Sequence, residues 1–477
     1  PASNMAPIMK TLLCLTGAAQ AAAWGVGRPA TLPSSRASVR TISMASTKPF
    51  KLGIVGGGTV GGGIVDILSS QAAQLDALGL DLQISKICVR DKSKKRDFDL
   101  PNGCQVVDSV ESVLADGEID IVVEVMGGVT LAKDVVVRAI ESGKHVVTAN
   151  KALIAQDLPE IQALLTKVNR ERETPVRFGF EAAVCGGIPI IHALQRDFLA
   201  DDVTQLSGII NGCTNYILSN MEQGGQSYGE ALKQASQLGY AEADPTLDVM
   251  GLDARSKLRI LIKLAFGVDV TENEIPARGI TEVTSTDFEY ARLQGGTVKL
   301  LGVAKLDKPG GKRISAFVSP VFVPTSNSLA SINGATNAVQ ITSQSMVSSM
   351  FVGQGAGRYP TANSCVSDIL DIVQGTCAVP FPKQAPADLT FGNSFESSFY
   401  VRIRFRDGVG IIESLGKTFG EHGISIYSVL QNPIKNRNDA QFVVLTDPVD
   451  VSNIKKACVA LEALDWCLGD TFYMPVL

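Results

Sequence analysis

The sequence predicts an α/β protein of two or three domains, and three observations support this fold class. The chain has 477 residues, of which 45% are hydrophobic and only 6% aromatic, as is ordinary for α/β proteins. A glycine-rich strand–turn–helix pattern occupies 50–68, and apolar strands alternate with helical patterns after it. The segment 396–477 shows a different order, βαββαβ, and is predicted to form a separate domain.

Residues 1–48 are predicted to be a leader that takes no part in the fold. They contain no Asp or Glu but many Arg, Ser, Thr and Ala residues, and their apolar run is too short to span a membrane. This composition is typical of an organelle transit peptide, so we expect the mature protein in the plastid stroma, with Met5 or Met9 as the true start. The alternatives are a disordered tail and a cytoplasmic location.

Charge and cysteine usage narrow the class of partner. The formal net charge of −5 gives no long-range attraction to nucleic acid or to an anionic membrane. The nine cysteines form no C-x-x-C pair, which argues against a zinc site or a disulfide framework and indicates a reducing compartment. We therefore expect small-molecule partners.

The stretch FKLGIVGGGTVGGGIVDIL at 50–68 predicts a Rossmann-type dinucleotide-binding domain. Its glycines complete G-x-G-x-x-G between an apolar strand and a helix, where the backbone can approach a pyrophosphate closely. The residues expected to contact the cofactor in this turn are Gly56, Gly58, Thr59, Val60 and Gly61. The next strand, 82–90, ends at Arg90, a cation that favours the 2′-phosphate of NADP(H) over NAD(H). The alternatives are a solvated basic loop and use of NAD(H).

Two further apolar strands are predicted at 119–128 and 144–151, with a helix between them. Ligands of parallel sheets bind at the carboxyl ends of the strands. Thr148, Asn150 and Lys151 are therefore expected where the nicotinamide meets its substrate.

The stretch GYAEADPTLDVMGLDARSKLRIL at 239–261 holds an unusual density of charge among apolar residues. Asp253 and Lys257 are four apart and share one face of a predicted helix. Charges in apolar surroundings are unfavourable unless they pair or take part in chemistry. The pattern alone predicts either a catalytic cluster or a solvated helix with one salt bridge.

Several stretches across 50–375 resemble homoserine dehydrogenase and occur in that family's order. They are GGGTVGGGIV, VVEVMGG, GKHVVTANKALIA, FEAAVCGGIPII, GIINGCTNYIL, LGYAEADPTLDVMGLDARSKLRIL and GQGAGRYPTANSCVSDIL. The resemblance implies interconversion of L-homoserine and L-aspartate 4-semialdehyde with NAD(P)+ or NAD(P)H, in threonine, methionine and isoleucine biosynthesis. The short leader leads us to expect no fused aspartate kinase.

The resemblance also implies roles for the charged residues. Lys257 would be the acid/base, with its pKa lowered towards neutrality by burial and by Lys151. Asp253 would orient Lys257 and the substrate hydroxyl. Glu242 and Asp248, with Asp253, would hold the substrate ammonium.

The expected domains follow from these motifs. An NADP-binding domain covers 49–180 and is completed by a returning segment near 350–379, which contributes Gly357 to the cofactor site. A substrate, catalytic and dimerisation domain covers 181–349, so a homodimer or homotetramer is expected.

FEAAVCGGIPII is interpreted in two ways. The resemblance implies a Na+ or K+ site formed by Glu181 and the backbone carbonyls of Val184, Gly186 and Ile188, since carbonyl oxygens suit a hard cation. The alternative is a glycine-rich turn that buries a hydrogen-bonded Glu181.

Two other functions remain open. A semialdehyde dehydrogenase would use the Cys213 thiolate with a histidine base, but no histidine follows at a suitable interval, so we interpret Cys213 and Cys185 as packed small residues. A catalytically inactive amino-acid sensor would be expected to lack Lys257, Asp253 or the glycine motif, and all are present.

The segment 380–395 has three prolines and is predicted to be a linker to the domain at 396–477. That domain resembles an ACT domain, a module that binds amino acids, and its first strand is predicted to be half-buried. The loop expected to bind an effector such as threonine consists of Asp407, Gly408, Val409 and Gly410. Val409 replaces the usual Pro there, and the alternative is a purely dimerising domain.

Overall fold

The computed structural model describes residues 49–308, 310–469 and 471–477. The predicted leader, 1–48, lies outside the described residues, so import and cleavage stay predictions. The described strands form two six-stranded sheets, one four-stranded sheet and one two-stranded sheet. None of the helices in these ranges is both long and apolar enough to cross a membrane.

The first sheet is parallel throughout and has the strand order β3-β2-β1-β4-β5-β6. Its strands are β1 Phe50–Val55, β2 Leu82–Cys88, β3 Gln105–Val107, β4 Ile121–Glu124, β5 His145–Thr148 and β6 Phe178–Gly179. Its helices are α1 Thr59–Ser70, α2 Ala72–Ala77, α3 Glu111–Leu114, α4 Thr130–Glu141 and α5 Lys151–Arg170. Strand order reverses between β1 and β4, and this reversal creates the crevice where such sheets bind ligands.

The second sheet has the order β11-β10-β7-β8-β9-β12 and is antiparallel except for the β9–β12 pair. Its strands are β7 Val203–Ile209, β8 Gly296–Leu306, β9 Arg313–Pro324, β10 Thr336–Ser343, β11 Val347–Gln354 and β12 Thr390–Gly392. The helices that follow β6 along the chain are α6 Ile190–Gln195, α7 Gly212–Gly224, α8 Tyr228–Gln237, α9 Thr246–Val249, α10 Leu252–Phe266, α11 Ser285–Leu293 and α12 Arg358–Val373. α10 packs on β8 through apolar residues that include Leu258 and Leu300, so the helix that carries the charged motif has a rigid support.

Helix α12 returns to the first sheet and packs on α1. A Cβ on Gly63 would lie 2.9 Å from the Cβ of Ala362, so the glycine permits close approach of the two helices. Arg358 at the start of α12 donates to Asp66 of α1 at 2.9 Å. This packing involves the segment predicted to complete the cofactor domain. The domain boundaries themselves stay predictions, and the predicted linker contributes β12 to the second sheet.

The C-terminal segment forms an antiparallel sheet of order β15-β16-β14-β18 with two helices. Its elements are β13 Glu396–Ser397, β14 Phe399–Phe405, α13 Ile411–Glu421, β15 Ile426–Leu430, β16 Ala440–Thr446, β17 Val449–Asp450, α14 Val451–Glu462 and β18 Phe472–Pro475. The main elements follow the predicted βαββαβ order, and β13 and β17 add a small ribbon. Val401 and Ile403 of β14 share an apolar core with Leu415 of α13 and Ile454 of α14.

The prediction that β14 is half-buried is wrong. Its second face carries Tyr400 and Arg402, which are 0% and 7% exposed because α11 of the preceding part covers them. The Tyr400 hydroxyl donates to Asp287 Oδ1 at 2.9 Å, and the Arg402 guanidinium forms an ion pair with the same carboxylate. Charged side chains that alternate along a strand predict exposure only when nothing packs on that face.

Candidate active site

The turn between β1 and α1 requires glycine at two positions, because a side chain there would clash with the backbone. Gly56 has φ +122°, and a Cβ there would lie 2.5 Å from the Val125 carbonyl oxygen. A Cβ on Gly61 would lie 1.9 Å from the Gly56 carbonyl oxygen. Gly58 precedes α1, and no side chain caps the helix there. The first N–H groups of α1 are therefore available to an anion such as a pyrophosphate.

The remaining residues predicted to bind the cofactor lie around this turn. Thr59 is exposed and Val60 half-buried at the start of α1. Gly357, with φ +132°, directly precedes α12, the helix that packs on α1. Arg90 follows β2 and is exposed, and within the described residues it has no ion pair or side-chain hydrogen bond. Its guanidinium is therefore free to meet a phosphate.

The carboxyl ends of β4 and β5 carry a buried polar cluster. Glu124 accepts hydrogen bonds from the Thr148 hydroxyl at 2.6 Å and from the Met126 N–H at 2.8 Å. Burial raises the pKa of the Glu124 carboxyl, although these donors oppose the rise. Asn150 caps α5 by accepting the Leu153 N–H. The cap fixes the start of α5, and with it the position of the next residue, Lys151.

The two charged residues of α10 form the centre of the site. Lys257 Nζ donates to Asp253 Oδ2 at 2.8 Å and to the Ile210 carbonyl at 2.8 Å. Lys151 Nζ donates to the other oxygen of Asp253, which links α5 of the first sheet to α10 of the second. The Asp253 side chain is 4% exposed, whereas that of Lys151 is 47% exposed. One buried carboxylate therefore bridges two ammonium groups, and one of these faces solvent.

The pKa values of this cluster move in opposite directions. Burial raises the pKa of Asp253, but the charges of Lys257 and Lys151 lower it more, so it lies well below its usual range. Burial lowers the pKa of Lys257, but Asp253, Cys185 and Asp248 together raise it more, so it lies above its usual value. The prediction that the Lys257 pKa falls towards neutrality is therefore wrong, because the groups around the ammonium, Asp253 foremost, together outweigh burial.

Asn211 belongs to this cluster and was missed by the sequence analysis. Its Nδ2 donates to Asp248 Oδ1 at 2.7 Å and to Asp253 Oδ2 at 2.8 Å. Its Oδ1 accepts the Thr214 N–H at 2.8 Å and so caps α7. An Asn before a helix signals such a cap in the sequence, but the contacts to two distant carboxylates leave no local pattern.

Glu242 does not join the cluster in this structure. Its side chain is exposed, and no ion pair or hydrogen bond to it occurs within the part of the chain that the structure describes. Asp244 accepts from the Thr246 N–H and hydroxyl, so it stabilises the turn before α9. Of the predicted substrate-binding acids, the structure brings together Asp248 and Asp253.

Glu181 is buried and hydrogen-bonded, as its alternative interpretation predicted. Its carboxylate accepts the N–H groups of Ile191 at 3.0 Å and His192 at 2.6 Å, while His192 Nε2 lies 2.9 Å from Asp368 Oδ1. Burial raises the pKa of Glu181 to about 7. This histidine–carboxylate cluster was not predicted, because its members are far apart in sequence.

The backbone oxygens proposed as cation ligands lie in the same turn as Glu181. The Gly186 carbonyl accepts the Ser364 hydroxyl, and the Ile188 carbonyl accepts the Ile190 N–H at 2.8 Å. Val184 is fully buried. Each carbonyl oxygen has a second lone pair, so these hydrogen bonds leave acceptor capacity for a hard cation.

The cysteines of the site are packed, as expected. Cys213 is 4% exposed, and burial raises the pKa of its thiol to about 12. Cys185 is also buried, with a pKa raised by burial, and its φ of +52° places it in the left-handed region. A thiol held neutral by its surroundings is a poor nucleophile.

The loop predicted to bind an effector borders a small concavity of about 200 Å³. Asp407, Gly408 and Gly410 line it together with Gln431, the residue that follows β15. Val409 is fully exposed at the rim, and Gly410 has φ +88° at the start of α13. The next residue after Gln431, Asn432, donates from its backbone N–H to the Tyr290 hydroxyl of α11 at 2.9 Å.

The doubly wound sheet, the open glycine turn and the charged cluster after β5 together define a dinucleotide-dependent oxidoreductase. Residues 56–175 match the family model described as homoserine dehydrogenase, NAD binding domain, and residues 189–370 match the homoserine dehydrogenase model. The chain therefore belongs to the homoserine dehydrogenase family.

Relatives of known name agree with this assignment. The chain is 38% identical to homoserine dehydrogenase of Pseudomonas aeruginosa over 88% of its own length and 97% of the relative. It is 36% identical to the Bacillus subtilis enzyme, covering 87% and 96% of the two chains. The crystal structure of a homoserine dehydrogenase from Thiobacillus denitrificans superposes with a TM-score of 0.82 at 34% identity, covering 90% of this chain and 98% of that one.

Proposed function

We propose that the protein interconverts L-homoserine and L-aspartate 4-semialdehyde, using NADP(H) in preference to NAD(H), in the synthesis of threonine, methionine and isoleucine. The observation that carries the proposal is the joining of Lys257, Asp253 and Lys151 at the carboxyl end of the first sheet. Alcohol–aldehyde chemistry needs a proton donor or acceptor and a positive charge near the reacting oxygen. The cluster offers both.

Lys257 is proposed to move the proton. In the reduction its ammonium donates a proton to the aldehyde oxygen and becomes neutral, and solvent then reprotonates it. In the oxidation neutral Lys257 accepts the hydroxyl proton. The bound nicotinamide supplies or accepts the hydride. The raised pKa of Lys257 supports the donor role, because the ammonium persists at neutral pH.

Asp253 and Asp248 are proposed to position the substrate. Asp253 holds Lys257 and Lys151 on its two oxygens, so the proton donor and the second cation keep a fixed separation. Asp248 is half-buried beside Asp253, and its Oδ2 has no hydrogen-bond partner within the described residues. That oxygen is suited to an ammonium group. A substrate-binding role for Glu242 is supported only by the family resemblance.

The experiment compares turnover of the full chain with L-homoserine and NADP+ or NAD+, followed by absorbance of the reduced nicotinamide. We expect turnover with both cofactors and a larger kcat/KM with NADP+. Absence of homoserine-dependent turnover would contradict the function. Equal kcat/KM for both cofactors would contradict only the preference, whose support is the free Arg90 guanidinium after β2.

A monovalent cation at Glu181, Val184, Gly186 and Ile188 is a second part of the proposal. It is supported by a carboxyl buried to 1% exposure whose pKa rises to about 7 by burial, since a cation would stabilise its ionised form. Bound cation would neutralise Glu181 and stiffen the turn before α6. Unfolding temperature and activity in Na+, K+ and tetramethylammonium salts of equal concentration test it, with an increase expected for Na+ or K+ alone.

The C-terminal segment is proposed to be an ACT-like domain that binds an amino acid such as threonine. The support is the βαββαβ order and the concavity beside Asp407–Gly410. The contact from Asn432 to Tyr290 gives a route from that concavity to α11. Inhibition by threonine, methionine or isoleucine in the same assay tests it. A response to none of them would leave an assembly role for the domain.

Plastid location and assembly into a homodimer or homotetramer are proposals as well. The first rests on the acid-free composition of 1–48 and is tested by importing the full chain into isolated plastids. The second rests on the family resemblance and is tested by light scattering of the purified protein.

A further inference from the structure

Asn211 occupies a central position between the two carboxylates of the site. Its Nδ2 has two hydrogens, and the structure directs one to Asp248 Oδ1 and the other to Asp253 Oδ2, at 2.7 and 2.8 Å. Its Oδ1 accepts both the N–H and the hydroxyl of Thr214, at 2.8 and 3.0 Å. The orientation of the amide is therefore determined at both ends.

Only an amide of this length meets both requirements. An Asp at this position could cap α7 but would bring a third carboxylate against two others. A Ser could cap α7 but would not reach both acids. Asn211 is 5% exposed, so water is a poor replacement for the two N–H groups it supplies.

We propose that Asn211 is a positioning residue that holds Asp248 beside Asp253, so that one acid binds the substrate ammonium while the other retains Lys257. The inference rests on the proposed function. Without the amide the two carboxylates repel each other directly, and Asp248 either moves away or takes up a proton. Both outcomes weaken homoserine binding without touching the glycine turn.

The proposal can be tested through the pH dependence of kcat/KM, because Asp248 lies among several charged or titratable groups. They are Asp253 and Lys257 of α10, Lys151 of α5 and Cys213 of α7. Burial raises the pKa of Asp248, and the Asn211 hydrogen bond opposes that rise. Loss of the bond should therefore move the acidic limb of the kcat/KM profile to higher pH.

The test compares Asn211→Asp and Asn211→Ser with Ser227→Ala, a control that removes the cap of α8 on the surface. For both Asn211 variants we expect kcat/KM for L-homoserine to fall by about 10- to 100-fold, the loss typical for outer-shell residues that orient the ligands of a metal. KM for NADP+ should stay unchanged, and the acidic limb should shift upwards, more for Asp than for Ser. Ser227→Ala should lower the unfolding temperature only.

An unchanged acidic limb and an unchanged KM for homoserine in folded Asn211→Ser would overturn the inference and leave the proposed function intact. Should Asn211→Asp fail to fold, Asn211→Ser decides, because its hydroxyl retains the cap of α7. A wild-type chain without homoserine-dependent turnover would overturn the proposed function and the inference together.

Discussion

Two buried ion clusters in this protein, around Asp253 and around Asp287, both pair a carboxylate with cationic side chains but differ in their access to solvent. Around Asp253, two lysines and an asparagine share one carboxylate, and Lys151 remains 47% exposed. Around Asp287, Arg402, Tyr400 and Thr284 enclose a carboxylate that is 0% exposed. The first cluster keeps a charge within reach of small molecules. The second is sealed between α11 and β14, so it can stabilise and orient but cannot react.

The comparison shows that burial of charge alone does not identify a catalytic site. The central carboxylate of each cluster accepts hydrogen bonds on both of its oxygens, as a buried charge must. What distinguishes the Asp253 cluster is its position at the carboxyl end of a parallel sheet and its surplus of cations over the anion they share. Substitutions in the Asp253 cluster should therefore change mainly the activity, and substitutions in the Asp287 cluster should change mainly the stability.

The largest expected effect is on catalysis in Lys257→Ala. Loss of the proton donor should lower kcat by about 10²- to 10⁴-fold, while NADP+ binding stays close to normal. Lys263→Ala is the matched control, because Lys263 lies on the same helix, is similarly buried and pairs with Asp269 at 2.8 Å. Steady-state kinetics and NADP+ titration measure both. Retention of most turnover in folded Lys257→Ala would refute its assignment.

The next effect is on stability in Asp287→Ala. The substitution leaves the Arg402 charge buried without its partner, which typically costs about 3–5 kcal/mol of unfolding free energy. Denaturant unfolding measures the loss.

The double variant Asp287→Leu with Arg402→Met serves as control, because removal of both charges is expected to restore most of the stability. Turnover per folded molecule should stay near normal in both. A loss of activity that exceeds the loss of folded protein would show that the sealed cluster also acts on the active site.

A smaller effect, on cofactor binding, is expected for substitution of the exposed Arg90. Arg90→Ala should weaken binding of NADP+ by roughly 1.5–3 kcal/mol and binding of NAD+ far less, because only NADP+ carries a 2′-phosphate that can accept a charge-assisted hydrogen bond from Arg90. Lys95→Ala, an exposed cation of the same loop, is the control. Binding titrations with both cofactors measure the difference. An equal loss for both would indicate that Arg90 supports the loop and not the phosphate.

The smallest effects are the pH dependences, which should have opposite signs in the two clusters. The lowered pKa of Asp253 means that its ionisation contributes stability above its unfolded pKa of about 3.9 and loses it as pH falls below that value. The pKa of Asp287 is raised by burial despite Arg402, so its contribution is present below about 3.9 and declines as pH rises through the folded pKa.

Unfolding free energies of Asp253→Asn and Asp287→Asn, measured against wild type from pH 3 to 7, separate these cases. For Asp253→Asn the difference from wild type should shrink as pH falls. For Asp287→Asn the stability of the variant relative to wild type should instead increase as pH rises, because ionisation of the buried Asp287 destabilises wild type only. The same sign for both variants would show that the two clusters do not differ as described.

The sequence predicted those features that depend on local spacing. The glycine turn, the parallel strands and the pairing of Asp253 with Lys257 each follow from residues within a few positions of one another. The βαββαβ order at the C-terminus follows from alternation and turn residues in the same way. Such features can be predicted because residue propensity and hydrophobic periodicity depend on neighbouring positions in the sequence.

Features that depend on distant contacts were missed or predicted incorrectly. Asn211 reaches Asp253 across 42 positions, and Arg402 reaches Asp287 across 115. The raised pKa of Lys257 results from a balance between burial and pairing that only the folded positions determine. Exposure of Glu242 likewise could not be predicted from the acidity of its surroundings.

The ion pair between Asp287 and Arg402 also has a consequence for synthesis of the chain. The two residues are separated by 115 positions, so Asp287 emerges on the order of ten seconds before its partner at ordinary rates of translation. During that interval the Asp287 carboxylate lacks the hydroxyl of Tyr400, and the Tyr290 hydroxyl lacks the backbone N–H of Asn432. The catalytic region is therefore made before the β14 residues that cover this part of α11.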